Sequence, residues 1–175
     1  LYRLLRNKKG ESFEDVTFTS GLFKDKDGTN GLASSYVVFA DVDNDGDMDA
    51  INIVYVDKAT IKLDGYMDDR TAIYLNNGDG TFKPGPYFNF GPSMYEAIAG
   101  ISFVDFDNDG ILDMFVVRHY NDYGNLDSCE QDTILKGLGG GKFKDVTKGS
   151  GIETEKVTDE SLASGKNHKA SWGVA

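Results

Sequence analysis

The sequence holds a single cysteine, Cys129, and only three prolines among 175 residues. One thiol excludes an internal disulfide framework; it leaves a bridge to a cysteine outside the chain as the only disulfide option, and the redox compartment undecided. No apolar run approaches the roughly 18 residues of a membrane span. The first residue is Leu rather than an initiator Met leading a signal sequence, so the start is expected to be processed or truncated. Basic residues are scarce as well: 18 Lys and Arg stand against 29 Asp and Glu, for a formal charge of -11. That balance disfavours nucleic acid and anionic membrane surfaces as partners and suits cations. Apolar stretches of 3.6-residue period are few, which leaves little room for helix.

What is present is 21 glycines, many Val, Ile, Phe and Tyr, and an apolar fraction of 39%, enough for a core built from short strands and tight turns. Three segment types recur in the same order about every 60 to 70 residues. The acidic segment ADVDNDGDMDAINIVYV (40 to 56) returns as VDFDNDGILDMFVVRHY (104 to 120). TAIYLNNGDGTFKP (71 to 84) returns as DTILKGLGGGKFKD (132 to 145), foreshadowed by LLRNKKGESFED (4 to 15). FEDVTFTSGL (13 to 22) returns as FKDVTKGSGI (143 to 152). Each unit reads as four strands, one entering the acidic loop, one leaving it, a third ending at a Gly-rich turn and a fourth after the Phe. That is the pattern of a propeller blade.

The expected fold is therefore all-β, a partial ring of about two and a half four-stranded antiparallel blades. Residues 1–30 would end one blade, 31–95 and 96–152 would each form a blade, and 153–175 would hold a polar excursion and the first strand of another. Propellers close with about four to eight blades, so the rest of the ring is expected outside this chain.

The two acidic loops place Asp41, Asp43, Asp45 and Asp49, and again Asp105, Asp107, Asp109 and Asp113, at positions one, three, five and nine around a glycine at position six. Alternate residues of a tightly curled loop can turn their oxygens inward, as a hard cation wanting six to eight oxygens requires. Position seven ordinarily offers its backbone carbonyl, so Asp47 and Ile111 would serve alike. A helix-loop-helix calcium hand is excluded, because position twelve is Asn52 or Val116 rather than Glu and the flanks are strand-like. An acidic turn without metal is the alternative, disfavoured because clustered carboxylates repel one another without a cation.

With the downstream NNGDGTF and FxDVTxxSG segments, these DxDxDGxxD loops resemble the FG-GAP/VCBS repeats of integrin α-subunit propellers and of ASPIC/UnbV-associated secreted proteins. The resemblance spans most of the chain. It implies a propeller, commonly seven-bladed, with calcium in the hairpin loops between first and second strands. The side-chain ligands it implies are Asp41, Asp43, Asp45 and Asp49 in one site and Asp105, Asp107, Asp109 and Asp113 in the other.

Other candidates carry less. The run from Gly137 to Gly141 reads as a hairpin turn, since neither a following helix nor a P-loop lysine accompanies it. His119 and His168 lack a nucleophile motif and are expected at the surface. Cys129, beside Glu130 and Asp132, is not placed to be a reactive thiolate. The connections 57–70 and 121–132 exceed hairpin length and hold Tyr66, Met67 and Tyr123, with Tyr120 just before the second. They would emerge opposite the acidic loops as a candidate contact surface, with plain loop decoration as the alternative. The expectation is a non-enzymatic, calcium-stabilised scaffold for protein or glycan recognition, adhesion or assembly. It would work where calcium is millimolar: outside the cell, at its surface, in the periplasm or in an organelle lumen. An accessory part of a secreted carbohydrate-active enzyme is the second reading, and an architectural subunit of a larger assembly the third.

Overall fold

A computed structural model describes residues 3–22, 24, 34–56, 71–88, 90, 96–122, 125 and 128–153. The chain is all-β: the described residues form eleven strands and hold no helix long and apolar enough to cross a membrane. They run β1 (Leu5–Lys8), β2 (Ser12–Asp15), β3 (Tyr36–Ala40), β4 (Asp49–Ile53), β5 (Tyr55–Val56), β6 (Ala72–Asn76), β7 (Phe82–Pro84), β8 (Glu96–Val104), β9 (Asp113–Arg118), β10 (Thr133–Gly137) and β11 (Phe143–Asp145). Three antiparallel sheets result: β1-β2, then β3-β4-β6-β7, then β5-β8-β9-β10-β11. The last two each contain a four-stranded meander, and no sheet closes on itself, an arrangement compatible with part of a propeller.

The core lies between the sheets because β4 is buried along its whole length. Alternate side chains of a strand point to opposite faces. Ala50 accordingly joins Leu22 and Tyr74 on the side of β1-β2, while Ile51 and Ile53 join Ile98, Met114 and Val116 on the side of β8 and β9. A strand with an apolar neighbour on both faces needs the near-continuous apolar run found at 50 to 54. Each such buried aliphatic side chain contributes about 1.5–3 kcal/mol.

The run INIVYV, read above as one strand, divides between two sheets. β4 ends at Ile53, and Tyr55 and Val56 pair instead with Ala97 and Glu96 at the edge of β8. Polar side chains make the departure possible by taking the backbone groups that leave the ladder. The Val54 N–H donates to Thr71 Oγ1 at 3.2 Å and the Tyr55 N–H to Ser35 Oγ at 2.9 Å. The Tyr55 hydroxyl then donates to the Tyr120 carbonyl at 2.9 Å, tying the crossing strand to the far end of β9.

The Asp-Val-Thr segments finish their sheets in the same way. The Asp15 and Asp145 carboxylates accept the N–H groups of Thr17 and Thr147, turning the chain. Those buried threonine hydroxyls accept the N–H groups of Leu4 and Ile134 on the neighbouring strand segment.

One expectation is corrected here. His119 is not at the surface: it is 3% exposed and lies edge-on to Tyr55 and Tyr120, because its strand continues past Arg118 to pair its N–H with the Ala97 carbonyl. Cys129 is buried, on a segment bridged to Tyr120. His168 lies outside the described residues.

Ile51 is fully buried in the apolar cluster between the two larger sheets. Ile51→Ala is therefore expected to destabilise the protein by about 2–5 kcal/mol in urea unfolding, whereas Ile51→Val costs about 0.5–1.5 kcal/mol.

Candidate metal centre

The acidic loops join β3 to β4 and β8 to β9, so each is the turn of a hairpin whose second strand is buried. Both follow the same hydrogen-bond scheme. The Asp41 carboxylate accepts the N–H of Asp45 at 3.1 Å and of Gly46 at 3.0 Å; Asp105 accepts those of Asp109 and Gly110 at the same distances. The Asp45 and Asp109 carboxylates accept the N–H two residues on, from Asp47 and Ile111, each at 2.9 Å. This curl needs left-handed backbone at two places, Asn44 and Gly46 in the first loop (φ 66° and 96°) and Asn108 and Gly110 in the second (φ 60° and 83°). Asn is the residue after Gly that best tolerates this region. Its recurrence at position four was the sequence signal for that bend.

Position nine does structural work. Asp49 and Asp113 are fully buried. Asp49 accepts the Val42 N–H at 3.0 Å through one oxygen and the Asn76 N–H at 2.8 Å through the other. Asp113 does the same with Phe106 at 2.9 Å and Gly137 at 2.8 Å. Each thus ties the start of its loop to the third strand of the sheet. A carboxylate oxygen offers two lone pairs, so these bonds leave acceptor capacity toward the loop interior.

Oxygens of Asp41, Asp43 and Asp49 lie within 4.8 Å of one another in the first loop, and those of Asp105, Asp107 and Asp109 in the second. Asp45 and Asp113 stand outside these closest sets. Position seven points elsewhere: the Asp47 carboxylate lies against Gly78, and the Ile111 side chain against Gly137 and Gly139, both toward the turn between third and fourth strands. That leaves the main chain as the group position seven can offer to a cation.

The first loop has a feature that fits a cation well. Asp43 Oδ1 is buried and has no hydrogen-bond partner. Burial raises the pKa of Asp43, and the neighbouring charges of Asp49 and Asp45 raise it further. Burial likewise raises Asp49, against the pull of the backbone donors Asn76, Val42 and Asp43. The Asp45 N–H offsets the rise at Asp43 in part, but an ionised carboxylate with one oxygen desolvated and unpartnered beside like charges is costly unless a positive charge arrives. The all-oxygen donor set, without His or Cys, suits a hard cation.

In the second loop Lys136 on β10 supplies positive charge from the protein itself. Its ammonium donates to Asp107 and, at 2.8 Å, to Asp109. The hydrogen bond from Lys136 lowers the pKa of Asp109, helped by the Ile111 N–H, and the two carboxylates raise that of Lys136. Sequence reading passed over Lys136 because its repeat counterpart, Leu75, is an apolar strand residue. Of the expected contact residues, Tyr120 is half-buried at the end of β9 away from the acidic loop, and Tyr66, Met67 and Tyr123 lie outside the described residues.

The raised pKa of Asp43 has a consequence with a definite sign. A carboxylate raised in the folded state disfavours folding when ionised, and that penalty disappears as pH falls through its folded pKa toward the unfolded value. In chelator at pH 7, Asp43→Asn is expected to melt a few degrees higher than the parent. The difference should shrink toward zero near pH 4 in melts followed by circular dichroism.

No curated protein matches the chain. Residues 56–116, from β5 through the second acidic loop into β9, match the family model described as FG-GAP-like repeat. The match begins after one acidic loop and ends after the next, so it straddles the two larger sheets. Over that stretch the chain is similar to the FG-GAP-like repeat.

Proposed function

We propose that this chain is a non-catalytic segment of a calcium-stabilised β-propeller that serves as an interaction scaffold. The observation that carries the reading is the buried, unpartnered Asp43 Oδ1 inside a ring of carboxylates whose loop geometry recurs in the second repeat. Calcium is the cation that these loops suit. They present several flexible carboxylates and a main-chain carbonyl rather than a rigid octahedron, and no nitrogen or sulfur ligand. Asp41, Asp43, Asp45 and Asp49, with the carbonyl of Asp47, would hold one ion; Asp105, Asp107, Asp109 and Asp113, with the carbonyl of Ile111, would hold the other. The ion would neutralise the carboxylates and stiffen the hairpin.

Sites of modest affinity fill at millimolar calcium and stay largely empty at cytosolic levels. The reading therefore goes with an extracytoplasmic location. The connections leaving β4–β5 and β9 at the other end of the sheets would meet the partner, a protein or a glycan, since long loops on a rigid scaffold are where recognition residues concentrate. The match to FG-GAP-like repeats supports a protein-interaction scaffold over an enzyme.

A ligand that binds only the folded state stabilises it by about 2.7 kcal/mol at one hundred times its Kd. The melting temperature is therefore expected to rise steadily with calcium and to return to its starting value in chelator. Magnesium at equal concentration should give a much smaller rise. The double variant Asp43→Asn/Asp107→Asn should lose most of the calcium response. A melting temperature indifferent to both calcium and chelator would overturn the assignment.

A further inference from the structure

The two acidic loops share a backbone and differ in charge. The first holds five aspartates and, among the described residues, no lysine or arginine paired to any of them. The second holds four aspartates with the Lys136 ammonium set between Asp107 and Asp109. Both sheets have the same register here: Leu135 stands opposite Met114 as Tyr74 stands opposite Ala50, so Lys136 occupies the position of Leu75. Leu75 packs against the apolar cluster between the sheets, whereas Lys136 turns its head toward the loop.

We propose that Lys136 is a tethered competitor for the second calcium site, so that the two sites fill in sequence, the Asp41–Asp49 loop first and the Asp105–Asp113 loop only at higher calcium. The inference rests on the calcium reading above.

An ammonium offers three donors and one charge, enough to hold two carboxylates together but not to satisfy a loop built for six to eight oxygens around a divalent ion. Two cations cannot share so small a ring. Calcium must expel the lysine head, which its flexible four-carbon stem and partial exposure (29%) allow. Binding at the second loop thus carries the cost of breaking two ion pairs, while binding at the first breaks none and also satisfies an orphaned oxygen. The same lysine keeps the second loop ordered when calcium is low; in the first, the third strand reaches the loop through the neutral Asn76 amide on the Met48 carbonyl instead.

The test is calcium titration calorimetry on the protein, the Lys136→Leu variant that copies the first repeat, and Lys136→Arg, which keeps the charge. Asp43→Asn and Asp107→Asn identify which sites belong to which loop. Two classes of site are expected in the parent. Lys136→Leu should tighten the weaker class by about tenfold or more, within the range that ligand charge sets for such loops, leaving the tighter class unchanged; Lys136→Arg should stay weak.

Thermal melts supply a second signature. Lys136→Leu should lower the melting temperature in chelator and raise it in saturating calcium, a change of sign that a merely misfolded variant would not show. Calcium binding by the parent with Lys136→Leu leaving both affinities unaltered would overturn the competitor role alone. No calcium heat in the parent or any variant would overturn the calcium reading and this inference with it.

Discussion

The position-nine aspartates are the constraint on which the rest of the molecule depends. Asp49 and Asp113 sit at the first residue of the most buried strand of each larger sheet, fully excluded from solvent. A carboxylate there is tolerated because donors from two directions meet it, one from the start of the loop and one from the third strand. Those bonds fix the curl of the loop, the register of β4 against β6 and of β9 against β10, and the direction in which the remaining carboxylates face. The acidic loop is thus part of the sheet rather than an appendage on it, and charge brought to the loop acts on the same hydrogen bonds that hold the sheet together.

Within that shared frame the repeats have diverged at the positions facing the loop from the third strand. Asn76 donates to the Met48 carbonyl at 2.9 Å and its side-chain oxygen accepts the N–H groups of Gly78 and Gly80, bracing the turn between β6 and β7. Its counterpart Gly137 does none of this. There the chain passes so close to the Leu112 carbonyl that any Cβ would collide with it, and the neighbouring Lys136 provides the link to the loop instead. One repeat thus joins loop to strand by neutral hydrogen bonds and the other by ion pairs. The two loops differ electrostatically although their backbones follow one scheme.

The sheets are also less separable than a reading in repeat units suggests. β5 leaves the second sheet to edge the third, and the Gly141 N–H reaches across to the Val42 carbonyl in the first acidic loop at 3.2 Å. The family match, from 56 to 116, cuts across both larger sheets. The matched stretch and the hydrogen-bonded sheets are out of phase, and the third sheet is edged by β5, which the sequence assigns to the preceding unit.

Much of this was determined by local pattern. Short runs rich in Val, Ile, Phe and Tyr between glycine turns specify short strands, and the spacing of aspartates around Gly46 and Gly110 specifies a curled acidic hairpin. Those features depend only on backbone sterics and on residues a few positions apart, so both the all-β fold and the sites of the loops were legible. What only the tertiary structure decided involves partners far along the chain. The departure of Tyr55 and Val56 to β8 depends on a β8 edge some 40 residues away in sequence. The burial of His119 depends on β8 and on Tyr55. The ammonium of Lys136 lies 27 residues from Asp109. Local propensity carries no information about such pairings; they arise when buried backbone and charged groups must find partners in a packed interior, and the identity of those partners is settled only once the sheets have come together.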